Sequence, residues 1–177
     1  MSSTLIALAA VCAANPFRVG ACAPESAVAR RQAVVVATAF TLFAVALSAL
    51  LSDPILDLLN VSGSSSRIAA GAAVLIVGIR DLFAQPPSPE PALAGLLAGI
   101  VPMAFPSLFT PALAILAVSA GAERGAVTAI GIIGTAILSV GLIVVANVRG
   151  THWRAAAVGS AGVVFGTLLA LNGVTAV

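Results

Sequence analysis

Lysine and tyrosine are absent from this chain of 177 residues, histidine and tryptophan occur once each, cysteine occurs twice, and charged residues make up only 8%. Soluble domains of this length carry about a quarter charged residues. Fourteen scattered charges (eight basic, six acidic) cannot cover a water-facing surface. An alanine-rich soluble bundle is the rival, but the apolar stretches reach membrane-crossing length and the charges fall almost only between them. The net charge of +2 is too small and dispersed for nucleic acid, and no basic cluster is dense enough for a specific lipid headgroup. Cys12 and Cys22 form no CxxC pair, which argues against metal or redox use. His152 has no cysteine or carboxylate cluster near it in sequence, so no metal centre, cofactor or catalytic constellation is expected, and the chain reads as a non-enzyme.

What the chain does have is 60% hydrophobic residues, gathered into six long apolar segments. Their expected bounds are Ser3–Cys22, Ala33–Leu51, Ile68–Phe83, Ala92–Val118, Ala126–Ala146 and Ala155–Val174. The first lacks the basic start of a cleaved signal peptide and reads as a membrane segment. The connections between segments are short and polar, and the serines at 64–66 read as loop punctuation. Residues 85–91, Gln-Pro-Pro-Ser-Pro-Glu-Pro, predict a stiff extended linker.

Arginine placement sets an expected orientation. Arg18, Arg30, Arg31, Arg80, Arg149 and Arg154 lie at the ends of segments one, three and five or in the connections after them, whereas Arg67 and Arg124 lie after segments two and four. Positive residues favour the cytoplasmic side, which puts both termini outside a bacterial cytoplasmic membrane. Trp153, between Arg149 and Arg154, reads as an interfacial anchor.

The linker divides the chain into halves, 1–84 and 92–177, that correspond weakly. Each opens with a proline-broken segment, Asn15-Pro16-Phe17 in one and Phe105-Pro106-Ser107 in the other. Each closes with an arginine-led, glycine-spaced helix starting at Arg67 or Arg154. Three segments per half is an odd number, so the halves must be inverted relative to each other. The expected fold is therefore an all-α integral membrane protein with about six transmembrane helices in two inverted three-helix repeats, helices one and four broken at prolines. Inverted repeats with paired broken helices are a transporter architecture. Proline removes a backbone donor and frees carbonyls that lipid cannot satisfy. Asn15, Pro16, Phe105, Pro106, Ser107 and Thr110 are accordingly the candidate solute-binding residues, with Asn15 also a cap for the continuing half-helix. Arg80 and Asp81 read as a gate or an interfacial ion pair. Gly95/Gly99, Gly131/Gly134 and Gly162/Gly166 have the spacing of close helix packing.

Asn15-Pro16, the Arg30-Arg31 pair, Arg67-Ile-Ala-Ala-Gly71 with Asp81-Leu82-Phe83, and Val101-Pro102-Met-Ala-Phe105-Pro106 with Pro111 resemble the MarC family of bacterial inner-membrane proteins, within the LysE-like exporter group. Ser107-Leu-Phe-Thr110-Pro111 stands where a Gly-Pro-Gly break is common in that family. The resemblance implies a multispanning inner-membrane fold. Together these features point to a carrier that moves a small solute or lipid intermediate by alternating access. The alternative is a non-catalytic membrane subunit or scaffold. Expected partners are membrane lipids, an undefined small solute, and a second copy or another membrane protein.

Overall fold

Long apolar runs favour helices, whose backbone groups satisfy one another within a single segment. The computed structural model describes residues 2–83, 99–146 and 152–176. The expected linker 85–91, Gly95 and Arg149 lie outside the described residues. The elements are α1 (Ser3–Ala14), α2 (Pro16–Ala21), α3 (Ala27–Leu50), α4 (Ser52–Leu59), α5 (Gly63–Phe83), α6 (Gly99–Leu108), α7 (Pro111–Arg124), α8 (Ala126–Val145) and α9 (His152–Val174). No strand occurs among the described residues.

Four helices are long and apolar enough to cross a membrane: Ser3–Ala21 (α1 with α2), Ala27–Leu50, Ala126–Val145 and Trp153–Val174. A fifth span results if α6 and α7, bent by 63°, are taken together. The expected third segment is α5. Its 21 residues reach about 31 Å at 1.5 Å each, but it carries Arg67, Arg80 and Asp81 and is not among those four.

Several helices outrun the apolar segments that announced them. α3 begins at Ala27, so Arg30 and Arg31 lie in its first turns rather than in a connection. Serines 64–66 are the first turn of α5, which corrects their reading as loop. The Ser62 hydroxyl accepts from the Ser65 backbone N–H at 3.2 Å, and serine outside a helix start favours such capping. α7 and α8 are separated only by Gly125, whose φ of 82° is a conformation other residues resist.

Glycine decides how closely the helices approach. α5 and α9 run antiparallel along a glycine seam. A Cβ placed on Gly78 would sit 2.7 Å from the Gly159 carbonyl oxygen, and one on Gly166 would sit 2.7 Å from the Gly71 carbonyl oxygen. Gly173 continues the seam toward Ile68. Gly99 is equally tight against α3, and Gly121 against Ala49 and Ser52. The packing expected at Gly131/Gly134 is corrected, since Gly131 has open space beside it and Gly134 meets only the end of Leu42.

Elsewhere α3 packs on α6, α7 and α8, α5 on α7, and α1 on α8 and α9. Most helix contacts thus join residues before the linker to residues after it. The core, including Ile6, Val45, Met103, Leu113, Leu116, Ile133 and Ile137, lies where these helices cross. On the outside, Phe43, Leu50, Ile76, Phe83, Val127 and Leu142 are exposed.

Candidate functional site

The helical backbone is interrupted at Asn15, whose φ of 33° and ψ of 95° end α1 and start α2. Pro16 supplies no N–H, so Cys12 loses the partner its carbonyl would have four residues on. The Phe17 N–H turns to the Asn15 side-chain oxygen at 3.2 Å, capping α2. That leaves the Ala13 carbonyl without its helical donor as well. In the other half, Pro111 occupies the position whose N–H the Ser107 carbonyl would accept. Thr110 caps α7 by accepting from the Leu113 N–H at 3.2 Å, and Val101 and Phe105 are extended within α6. Each break therefore leaves backbone oxygen to be satisfied from elsewhere.

The side chain that supplies both is Arg18, three residues past Asn15 on the same helical face. Its Nη2 donates to the Ala13 carbonyl at 2.6 Å and to the Ser107 carbonyl at 3.0 Å. Its Nη1 donates to both Asp81 carboxylate oxygens at 2.8 Å. Asn15 Nδ2 donates to the same carboxylate at 2.7 Å and to the Ala155 carbonyl at 3.2 Å. Thr110 Oγ1 donates weakly to the Ala13 carbonyl at 3.4 Å, and the Ser107 hydroxyl lies 3.6 Å from Cys22 Sγ. Asp81 is 4% exposed and Asn15 fully buried, so the charges are met by each other rather than by water. A buried carboxylate needs such pairing, because desolvation alone would cost several kcal/mol (roughly) per ion.

Of the residues expected from sequence, Asn15, Pro16, Ser107 and Thr110 are buried together at this crossing. Phe105 and Pro106 are not part of it: Phe105 is 50% exposed and Pro106 is also on the outside. The extended backbone at Phe105 turns these two out while Met103, Ala104 and Ser107 turn in. The Arg80–Asp81 pairing is likewise corrected. Neighbours one apart on a helix point in different directions, and Arg80 is exposed while Asp81 turns inward to Arg18.

Arg18 is the residue missed. Its place near a segment end groups it with the connection arginines, although an arginine two positions beyond Pro16, inside the expected first segment, is the intramembrane charge that normally marks function. Cys22 also comes to the site, for which the sequence held no signal.

The second polar cluster lies at the other end of α5. Arg67 Nη2 pairs with Glu123 at 3.1 Å, and Arg67 Nη1 donates to the Asn172 carbonyl at 3.2 Å. The Ser66 hydroxyl meets that of Ser119 at 3.4 Å, and Arg124 Nη1 donates to the Ser3 hydroxyl at 3.0 Å. The space bounded by Val19, Thr38, Met103, Leu108 and Gly141 has no room for a water molecule. The Arg18 guanidinium links Asn15 to Ser107, through the shared Asp81 carboxylate on one side and the Ser107 carbonyl at 3.0 Å on the other.

Among the described residues no group of three or more His, Cys, Asp or Glu side chains could hold a metal. The constellation can hold an ion pair, satisfy broken helices and exchange hydrogen-bond partners. Comparison with protein-family models, curated proteins and solved structures found no match to this chain.

Proposed function

We propose that the chain is an integral membrane carrier of two inverted three-helix halves, 1–84 and 92–177, with its working site where the two helix breaks cross. The observation that carries this is the Arg18 guanidinium, which binds a carbonyl freed in each break as well as the Asp81 carboxylate. α5 then counts as the sixth crossing, made tolerable because Asp81 is neutralised by Arg18. Inverted symmetry receives support from the glycine seam. Gly159 lies 88 residues after Gly71 and Gly166 lies 88 after Gly78, and the contacts are the exchanged ones, Gly71 with Gly166 and Gly78 with Gly159. A two-fold relation between halves produces this reciprocal pattern. Membership of a MarC-like family belongs to the same proposal, as do the bacterial cytoplasmic membrane and external termini.

Alternating access follows from the two polar clusters. Asp81 and Arg67 are fourteen residues apart on α5, about 21 Å along the helix. Each cluster contains bonds between the halves, Arg18 to Ser107 and Asn15 to Ala155 at one end, Arg67 to Glu123 at the other. With both made, the form described is closed at both ends. Opening one end requires releasing only that end's bonds, and the cargo is a small solute or lipid intermediate able to take over the freed hydrogen-bond partners. Because the halves interleave, the natural moving body is the glycine-locked α5–α9 pair against the remaining helices, rather than one half rocking on the other.

Cys22 provides a test that needs no identified cargo. In vesicles of each orientation, Glu123→Gln should bias the protein toward opening at the Arg67 end. Labelling of Cys22 by an impermeant maleimide should then fall several-fold. Labelling identical to the native chain from both sides would reject the carrier. The scaffold alternative draws on the low content of charged residues, 8%; a stoichiometric partner retained through mild-detergent purification would support it.

A further inference from the structure

One surface feature is untouched by the proposed carrier site. Along the outer side of α9, Ala157 and Ala161, one turn apart, leave space opposite Val11 and Phe17 of α1 and α2. The result is an open apolar groove of about 470 Å³, within the roughly 300–1,000 Å³ of pockets that take small ligands. Trp153 and Arg154 stand at one end, with the guanidinium 5.3 Å from the indole centroid. No described carboxylate pairs with Arg154.

We propose that this groove holds one acyl chain of an anionic phospholipid, with the lipid phosphate against Arg154. The proposal rests on the membrane-embedded reading of the chain but not on transport. The groove reaches from Trp153 to Phe165, twelve residues of α9 or about 18 Å, close to the roughly 15 Å hydrocarbon depth of one leaflet. A tryptophan 65% exposed at the start of the helix fits the headgroup level, where indoles concentrate. The lining is apolar over that length and cationic only at the Trp153 end. A single-charge amphiphile has this distribution, whereas a zwitterionic lipid would bring its own cation to Arg154. No basic cluster is needed, because one arginine near the surface changes affinity for an anionic lipid by about fivefold.

Trp153 is the chain's single tryptophan, so its fluorescence reports this groove alone. The full chain would be reconstituted in phosphatidylcholine vesicles doped with acyl-brominated phosphatidylglycerol or acyl-brominated phosphatidylcholine. Half-maximal quenching should need about fivefold less of the anionic lipid. Arg154→Gln should bring the two curves together, whereas Arg80→Gln, an exposed arginine outside the groove, should leave them apart. Ala157→Leu, at an exposed position, should fill the groove and weaken quenching by the anionic lipid. Coincident curves in the native chain, or equal effects of Arg154→Gln and Arg80→Gln, would overturn the proposal. So would shielding from both lipids that grows with protein density, which would mean a second copy covers the groove. Quenching by neither lipid at any density would overturn it together with the membrane reading of α9, leaving the Cys22 test as the separate measure of the carrier.

Discussion

The two ends of α5 carry the same chemistry, an arginine paired with a carboxylate, in opposite surroundings. Arg18 and Asp81 have side chains 11% and 3% exposed, and the arginine also holds two backbone carbonyls. Arg67 and Glu123 are 16% and 23% exposed, with one carbonyl added. The difference teaches that the first pair is set more deeply into the fold than the second. Removing a partner from a buried pair strands a charge, whereas a partly exposed pair leaves the remaining charge some access to solvent.

Substitutions at the two ends should therefore separate widely in stability. Arg18→Ala, which leaves Asp81 with Asn15 alone, takes the donor from the Ser107 carbonyl and leaves Ala13 only the weak Thr110 contact, should lose about 3–5 kcal/mol. The check is thermal or denaturant unfolding in detergent, and a loss under about 1 kcal/mol would erase the distinction between the ends. Next comes the seam that ties the ends together. Gly78→Ala places a methyl against the Gly159 carbonyl oxygen and should cost about 1–3 kcal/mol. The same change at Gly131, which has open space, should shift stability by less than about 1 kcal/mol. Arg67→Gln should lose only about 0.2–1 kcal/mol, less at high salt; a loss equal to that of Arg18→Ala would make the two ends alike.

A functional comparison sharpens the same contrast. Asn15→Ala, Ser107→Ala and Thr110→Ala combined should abolish solute exchange while a helical protein is retained by circular dichroism. Counterflow from a mixed metabolite extract, read by mass spectrometry, measures the exchange. Undiminished counterflow would reject the crossing as the site.

Much of the helix inventory was legible because a run of apolar residues has few alternatives once backbone groups must pair. Segment five, expected over Ala126–Ala146, is α8 over Ala126–Val145. Helix starts were less legible. Ala27 and Gly63 begin helices in polar sequence, because arginine, glutamine and a serine cap are compatible with helix even though lipid does not demand it there. At the site, Asn15, Pro16, Ser107 and Thr110 could be picked from residue type, since prolines mark missing donors and small polar groups repair them. Phe105 and Pro106 face outward instead, because being next to a break does not say which way the backbone turns. Arg18 escaped because charge near a segment end reads as solvent-facing, and only the partner on α5 shows otherwise.

Sequence alone determined that this chain builds long apolar helices and where a backbone donor is missing, because hydropathy and a missing N–H are properties of individual residues. Tertiary structure decided what those interruptions meet. The pairing of Arg18 with Asp81, 63 residues away, and the reach from Arg18 to Ser107, 89 residues away, depend on α5 and α6 arriving at the same place. So does the preference of Asp81 for Arg18 over its neighbour Arg80. Helix geometry sends adjacent side chains apart, and packing chooses which of them finds a partner.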